Sequence, residues 1–214
     1  MNKKIILSFF ASLLLLSQAA NAEIKIGKGS LTFNAAVASQ YITRGIDQNK
    51  DSATPSVGAD FTIPAGEFNL YVGAWVSGSD INLGASQERD YYLGVNKAFG
   101  ITTLDIGYIT YNYPSVTDKS LNNAEYYAKL TVAPEKKPYT FGIAYYLDDT
   151  DGVKSSSGVK SDKDYYEINA TYDFGVAQGL ISYGVFDNDT KTTTVSLSKD
   201  CLLYTSDAAD EGLG

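Results

Sequence analysis

The stretch ERDYYLGVNKAF, Glu88 to Phe99, carries two adjacent tyrosines, and its reading decides the fold. Successive side chains on a strand point to opposite faces, so Tyr91 and Tyr92 put one ring on each side of a sheet. The doublet returns as Tyr126-Tyr127 in AEYYAKL, Tyr145-Tyr146 in IAYYLDD and Tyr165-Tyr166 in KDYYEIN. Each stands where a strand meets a long polar loop. The β-propensity of tyrosine explains its abundance but not this clustering.

Around the doublets the sequence parses into ten strands, at about 31–43, 53–63, 67–77, 88–99, 101–111, 123–133, 138–148, 164–174, 177–187 and 192–199. The prolines (Pro55, Pro64, Pro114, Pro134 and Pro138) stand at strand boundaries, as suits a residue that cannot donate a ladder hydrogen bond. The connections alternate in length. PAG, FG, PEKK and GVA are tight, whereas RGIDQNKDSA, GSDINLGASQ, NYPSVTDKSLNN, DTDGVKSSSGVKSDK and the shorter NDTK lie between them. All tight turns then fall on one side of the sheet and all polar loops on the other. Short turns opposite longer loops, with an even strand number, are the pattern of outer-membrane barrels.

Alternation within the strands agrees. Phe68, Leu70, Val72, Ala74 and Val76 share a face opposite Asn69, Tyr71, Gly73, Trp75 and Ser77. A soluble barrel or a sandwich alternates too. A water-facing exterior, however, usually carries many lysines and glutamates, and this polar face is mostly Gly, Ala, Ser, Thr and Asn. Small polar residues suit the wet interior of a narrow barrel with its apolar face toward lipid. The expected fold is an all-β, antiparallel up-and-down transmembrane β-barrel of about ten strands. Tyr91, Tyr126, Tyr145 and Tyr166 then form an outward aromatic girdle at the loop end, with Phe61, Phe68, Phe99, Tyr139 and Phe174 at the turn end. Tyr92, Tyr127, Tyr146 and Tyr165 point inward and narrow the mouth.

The chain begins MNKKIILSFFASLLLLSQAANA, with a charged start, an apolar core over residues 5–16 and a small-residue site at 20–22. Residues 1–22 read as a secretory signal peptide cut after Ala22, and no other apolar run reaches the ~18 residues of a membrane-spanning helix. The barrel is assigned to 23–200. The sequence has no histidine and a single cysteine, Cys201. That composition excludes Ser-His-Asp and Cys-His catalysis, histidine-ligated metals and an internal disulfide. A net charge of −8 argues against nucleic acid as a partner.

Residues 31–199 resemble the TorF-type porin family of proteobacteria. The resemblance is carried by Tyr41, Arg44, Gly45 and Gln48 in SQYITRGIDQ, then by Pro55, Gly58, and Tyr71, Gly73, Trp75 and Ser77 in YVGAWVS. Glu88, Asp90 and Tyr91, then Asp105, Gly107, Tyr108, Tyr111 and Pro114 in LDIGYITYNYP, and finally Glu125 continue it in order. It implies an outer-membrane β-barrel with a porin label, which speaks more to fold than to mechanism.

By alternation Arg44 points inward at the outer end of the first strand. Glu88, Asp90 and Glu125 do so on the fourth and sixth strands, with Tyr111 between them. Arginine and carboxylates on opposite walls would set a transverse field at a constriction, as charge rings do in selective channels. Deeper, Asp60, Asp105, Glu167 and Asp173 outnumber Lys129, which favours cations. The alternative is that these groups close into salt bridges in a filled interior, as in small barrels. Asp148, Asp149 and Asp151 in DDTDG form only a fragment of a calcium loop, without the later ligands. No nucleophile stands beside a base, so no enzyme, cofactor or metal is expected.

The function expected is a porin-like channel for small polar solutes or ions in the cell outer membrane of a Gram-negative bacterium, with a closed barrel of structural or adhesive role as the alternative. The expected partners are outer-membrane lipid and lipopolysaccharide, the barrel-assembly machinery and small polar solutes. Residues 201–214, CLLYTSDAADEGLG, lose the alternation and resemble a translated transposase-type sequencing adapter. They read as a non-native tail, which resequencing of the source locus tests.

Overall fold

The computed structural model describes residues 17–49, 52–78, 85–115, 122–149 and 164–200. The tail, Asp151 and residues 1–16 of the expected leader lie outside them. Among the described residues there are thirteen strands and no helix: β1 (Ser17–Ile26), β2 (Gly29–Ala38), β3 (Ile42–Thr43), β4 (Ile46–Asp47), β5 (Thr54–Ala65), β6 (Phe68–Gly78), β7 (Gln87–Phe99), β8 (Thr102–Asn112), β9 (Asn123–Val132), β10 (Tyr139–Asp148), β11 (Tyr165–Asp173), β12 (Gln178–Phe186) and β13 (Lys191–Asp200). The ten long strands from β2 onward sit close to their expected positions. β1 and the β3–β4 pair are additional.

From β5 to β13 every strand pairs antiparallel with its sequence neighbour. Tight turns at Gly66 and Gly100 take positive φ, which glycine enters without steric penalty. The hydrogen-bonded order is β1-β13-β12-β11-β10-β9-β8-β7-β6-β5-β2, and β1 also pairs with β2, so the order returns on itself. The return is narrow. Only Ser17–Ala19 meet Ser198–Asp200, and they do so in parallel. The ten-strand reading requires β2 to pair directly with β13, and among the described residues it does not. β1 occupies the edge of β2 instead, so the sheet is all-β and antiparallel apart from this short parallel seam.

Burial runs opposite to that of a water-soluble domain. The buried positions include Glu88, Asp90, Glu125, Glu167, Ser56, Ser77, Thr131 and Ser182, together with Trp75, Tyr127, Tyr146 and Tyr165. The exposed positions include Val57, Leu70, Val72, Leu93, Ile106, Ile143, Ile168, Ile181 and Val195. The alternation of β6, FNLYVGAWVSG, shows why: Phe68, Leu70 and Val72 are exposed on one face, with Ala74 and Val76 half-buried in line with them, whereas Gly73, Trp75 and Ser77 are buried on the other. The hydroxyl ends of tyrosines on the buried face lie over glycines of neighbouring strands. A Cβ on Gly73 would meet Tyr92, one on Gly94 Tyr71, one on Gly107 Tyr127 and one on Gly184 Tyr165. Glycine at these positions is the space the tyrosines fill.

Candidate functional site

The site centres on Arg44, and the sequence placed that residue incorrectly. The first long strand ends at Ala38, five residues earlier than expected, and the chain folds into a separate hairpin. Gln48 N donates to Tyr41 O at 2.7 Å, and Ile42 faces Asp47, Thr43 facing Ile46. Arg44 and Gly45 form the two-residue turn, with φ of 51° and 74°. Two successive positive φ values make the turn type whose twist suits a hairpin, and arginine is an unfavourable occupant of its first position. Buried Asn49 fastens the hairpin base. Its Oδ1 accepts from Tyr41 N at 3.1 Å, and its Nδ2 donates to Ser52 O and Thr54 Oγ1.

The hairpin leans across the loop end of the sheet. A Cβ on Gly45 would touch Thr192 at the start of β13. Arg44 reaches β9, where Nη1 and Nη2 donate to Oε1 and Oε2 of Glu125 at 2.7 and 2.6 Å. Tyr111 donates to Glu125 Oε2 at 3.1 Å. The guanidinium carbon lies 4.3 Å from the ring centre of Tyr146 and 4.8 Å from that of Tyr165. Burial disfavours this cation, but the Glu125 carboxylate overrides it and holds the guanidinium above its ordinary pKa. Arg44 and Glu125 therefore form a direct fork rather than facing each other across open space.

Glu88 and Asp90 lie on the same buried face of β7. Asp90 stands opposite Trp75 on β6 and Tyr111 on β8. Trp75 packs on Tyr41, ring centres 5.7 Å apart. Burial, reinforced by Glu88 and Asp90, pushes the hydroxyls of Tyr41 and Tyr113 well above the ordinary tyrosine pKa. Farther along the strands, Tyr71 donates to Asp105 at 2.5 Å and its hydroxyl lies 2.5 Å from that of Tyr127. Tyr92 donates to Asp60, also at 2.5 Å. Lys129 sits over the Tyr127 ring at 4.2 Å.

On the exposed face Tyr91, Tyr126 and Tyr166 stand near the loop end, and Tyr145 stacks on Tyr166 at 4.6 Å. Phe99 and Phe174 are exposed near the tight turns, Phe174 lying 4.8 Å from Tyr172, while Phe61 and Tyr139 are half-buried there. The sequence reading missed the hairpin, Asn49 and the packing of Arg44 between two rings. The signal was present in ITRGID, where a residue-glycine pair between β-formers marks a two-residue turn.

The chain matches, over residues 25–213, the family model Gcw_chp, described as a bacterial protein of unknown function. No curated protein matches it. No solved structure matches it either.

Proposed function

The chain belongs to the Gcw_chp family of bacterial proteins of unknown function, and we propose that it is an outer-membrane β-barrel stoppered at its loop end, with a structural or adhesive role in the envelope. The observation that carries the reading is the Arg44–Glu125 fork between Tyr146 and Tyr165. A steadily open pore needs a wet path. A buried guanidinium clamped on a carboxylate and covered by two rings closes that path at its own level.

The membrane assignment is supported by the burial pattern, because a contiguous apolar face of this extent is unfavourable in water and suited to lipid. Every backbone group of a spanning sheet must be paired, which long antiparallel ladders achieve. Aromatic residues near both ends of the strands, the expected leader and the resemblance to TorF-type porins point the same way. A second reading, a weakly cation-preferring porin, draws on the part-buried Asp60, Asp105 and Lys129 beyond the hairpin. These line a polar route if the hairpin withdraws.

Planar bilayers separate the two. The native protein is expected to give no steady conductance, and replacing Ile42–Asp47 with a Gly-Ser linker is expected to admit steps. Sustained, uniform steps from the native protein overturn the stopper and favour the porin. The exported protein is expected in the outer-membrane fraction with Glu23 at its N-terminus. Its recovery as a soluble periplasmic species rejects the membrane assignment.

A further inference from the structure

Beside the Arg44–Glu125 fork lies a group of buried oxygens without counter-charge. The ion pairs formed among the described residues are Lys25–Glu23, Arg44–Glu125 and Lys97–Glu67, so neither Glu88 nor Asp90 has a cationic partner. Both are buried on one face of β7, two residues apart, and Glu88 lies within hydrogen-bonding reach of the Tyr41 hydroxyl, Asp90 and the Tyr113 hydroxyl. Two carboxylates this close, out of water, require a positive charge or a shared proton between them.

The neighbouring oxygens favour a positive charge. Ser77 stands directly across from Glu88, and Ser56 directly across from Ser77, so the three side chains form one row on the buried face. Cβ atoms of directly opposed residues lie about 5 Å apart. Asp90 follows two residues along β7 on the same face. Ser77 has no exposed surface, yet its Oγ has no hydrogen-bond partner. Ser56 Oγ and Asp90 Oδ1 are equally buried and unpartnered. A hydroxyl beside a carboxylate normally donates to it. Buried polar atoms without partners are rare, and two hydroxyls in one row with Glu88, next to an unpartnered oxygen of Asp90, are the lining of a site rather than of a packed interior.

We infer that Ser77, Glu88 and Asp90 bind a single divalent, oxygen-preferring cation of the calcium type at the loop end of the sheet. Two carboxylates match a charge of two, and the Ser77 hydroxyl adds to a hard-oxygen shell that open calcium sites finish with water. No three Asp, Glu, His or Cys side chains are grouped to hold a metal among the described residues, so the neutral oxygens are essential to the set. Zinc and copper are disfavoured because the shell offers neither imidazole nor thiolate. The inference does not depend on the membrane assignment. With two charged ligands the affinity falls in the weak range of extracellular calcium sites, about 10⁻⁴–10⁻³ M.

The test uses the full chain, folded in detergent, and terbium(III) as the probe. Trp75, the single tryptophan, stands directly across from Asp90 and is placed to sensitise a bound lanthanide. Tryptophan-excited terbium emission is expected to saturate at one ion per chain and to be displaced by calcium. Glu88→Gln and Asp90→Asn are each expected to weaken binding by about tenfold or more. Ser77→Ala is expected to fold as well as the native protein without calcium, since its Oγ makes no hydrogen bond, and to bind the ion more weakly. Glu67→Gln, exposed and distant, is expected to change nothing. Absence of saturable emission from the native protein overturns the inference, as does equal binding by the native protein, Glu88→Gln and Asp90→Asn. An infrared carbonyl band of a protonated carboxyl that is lost in Asp90→Asn and unmoved by calcium assigns the pair to a shared proton and also overturns it.

Discussion

Replacing Arg44 by alanine separates the forces at the hairpin. Glu125 is 1% exposed and Arg44 14%, so the change strands a carboxylate with Tyr111 as its remaining donor among the described residues. Removing one partner of a buried ion pair typically destabilises by about 3–5 kcal/mol. Loss of the two ring contacts adds to this, at roughly 0.5–2 kcal/mol for a cation over an aromatic face. The backbone at φ 51° is unfavourable for any residue with a Cβ, by roughly 1–2 kcal/mol, and alanine does not relieve it. Asparagine does, because it tolerates the left-handed region. Arg44→Asn is therefore expected to be about 1 kcal/mol milder than Arg44→Ala. Glu125→Gln should be nearly as harmful as Arg44→Ala, and the double variant little worse than either, so that the coupling is nearly the whole of one single change, about 3 kcal/mol or more. Urea unfolding of the detergent-folded protein, followed by Trp75 fluorescence, measures all four. Additivity of the two single changes to within about 0.5 kcal/mol refutes the fork as the force that holds the hairpin.

Two further changes probe the faces of the sheet. Leu93 and Val72 are directly opposed and more than half exposed, so Leu93→Arg tests what covers that face. If lipid does, folded protein is expected to fall sharply, at about 2–4 kcal/mol near the bilayer midplane, whereas a water-facing position gives an effect near zero in the same assembly assay. Gly184→Ala sets a methyl group against the Tyr165 ring, which is fully buried and cannot retreat. A loss of about 1–3 kcal/mol is expected on melting. An unchanged melting temperature contradicts close packing of the Tyr165 hydroxyl end on that glycine.

Much of the sheet was legible because its signals are local. Period-two alternation in strands such as β6 names the two faces, and glycine or proline at the tight turns fixes the ends. Which face is buried was also readable, from small polar residues where a soluble protein would show lysine and glutamate. The hairpin was not legible in the same way. Alternation continues through Ala38 into SQYIT, so the pattern alone extends the strand to residue 43, and only the Arg44-Gly45 turn breaks it. Pairing across sequence was harder still. Arg44 and Glu125 are 81 residues apart, and strand alternation can say that both point inward without saying that they meet. A constriction and a salt bridge have the same residue pattern. Distance alone distinguishes them.

The seam of the sheet poses a choice that the expected leader sharpens. The ring returns on itself through Ser17–Ala19, which lie before the cleavage point after Ala22. Removing residues 1–22 leaves Glu23–Ile26 on the edge of β2 and takes away every pairing between β1 and β13. Beyond its last three residues, β13 is paired on one side only, against β12, so a long edge is left open. Open edges are unstable in lipid, where no water replaces a missing ladder. β2 runs from the tight-turn end toward the loop end, and β13 runs back. The two strands are therefore antiparallel, and ten strands is the even number that lets a meander close on itself. Cleavage and closure through β1 thus exclude each other, and the processed chain is left with β2 and β13 as natural partners.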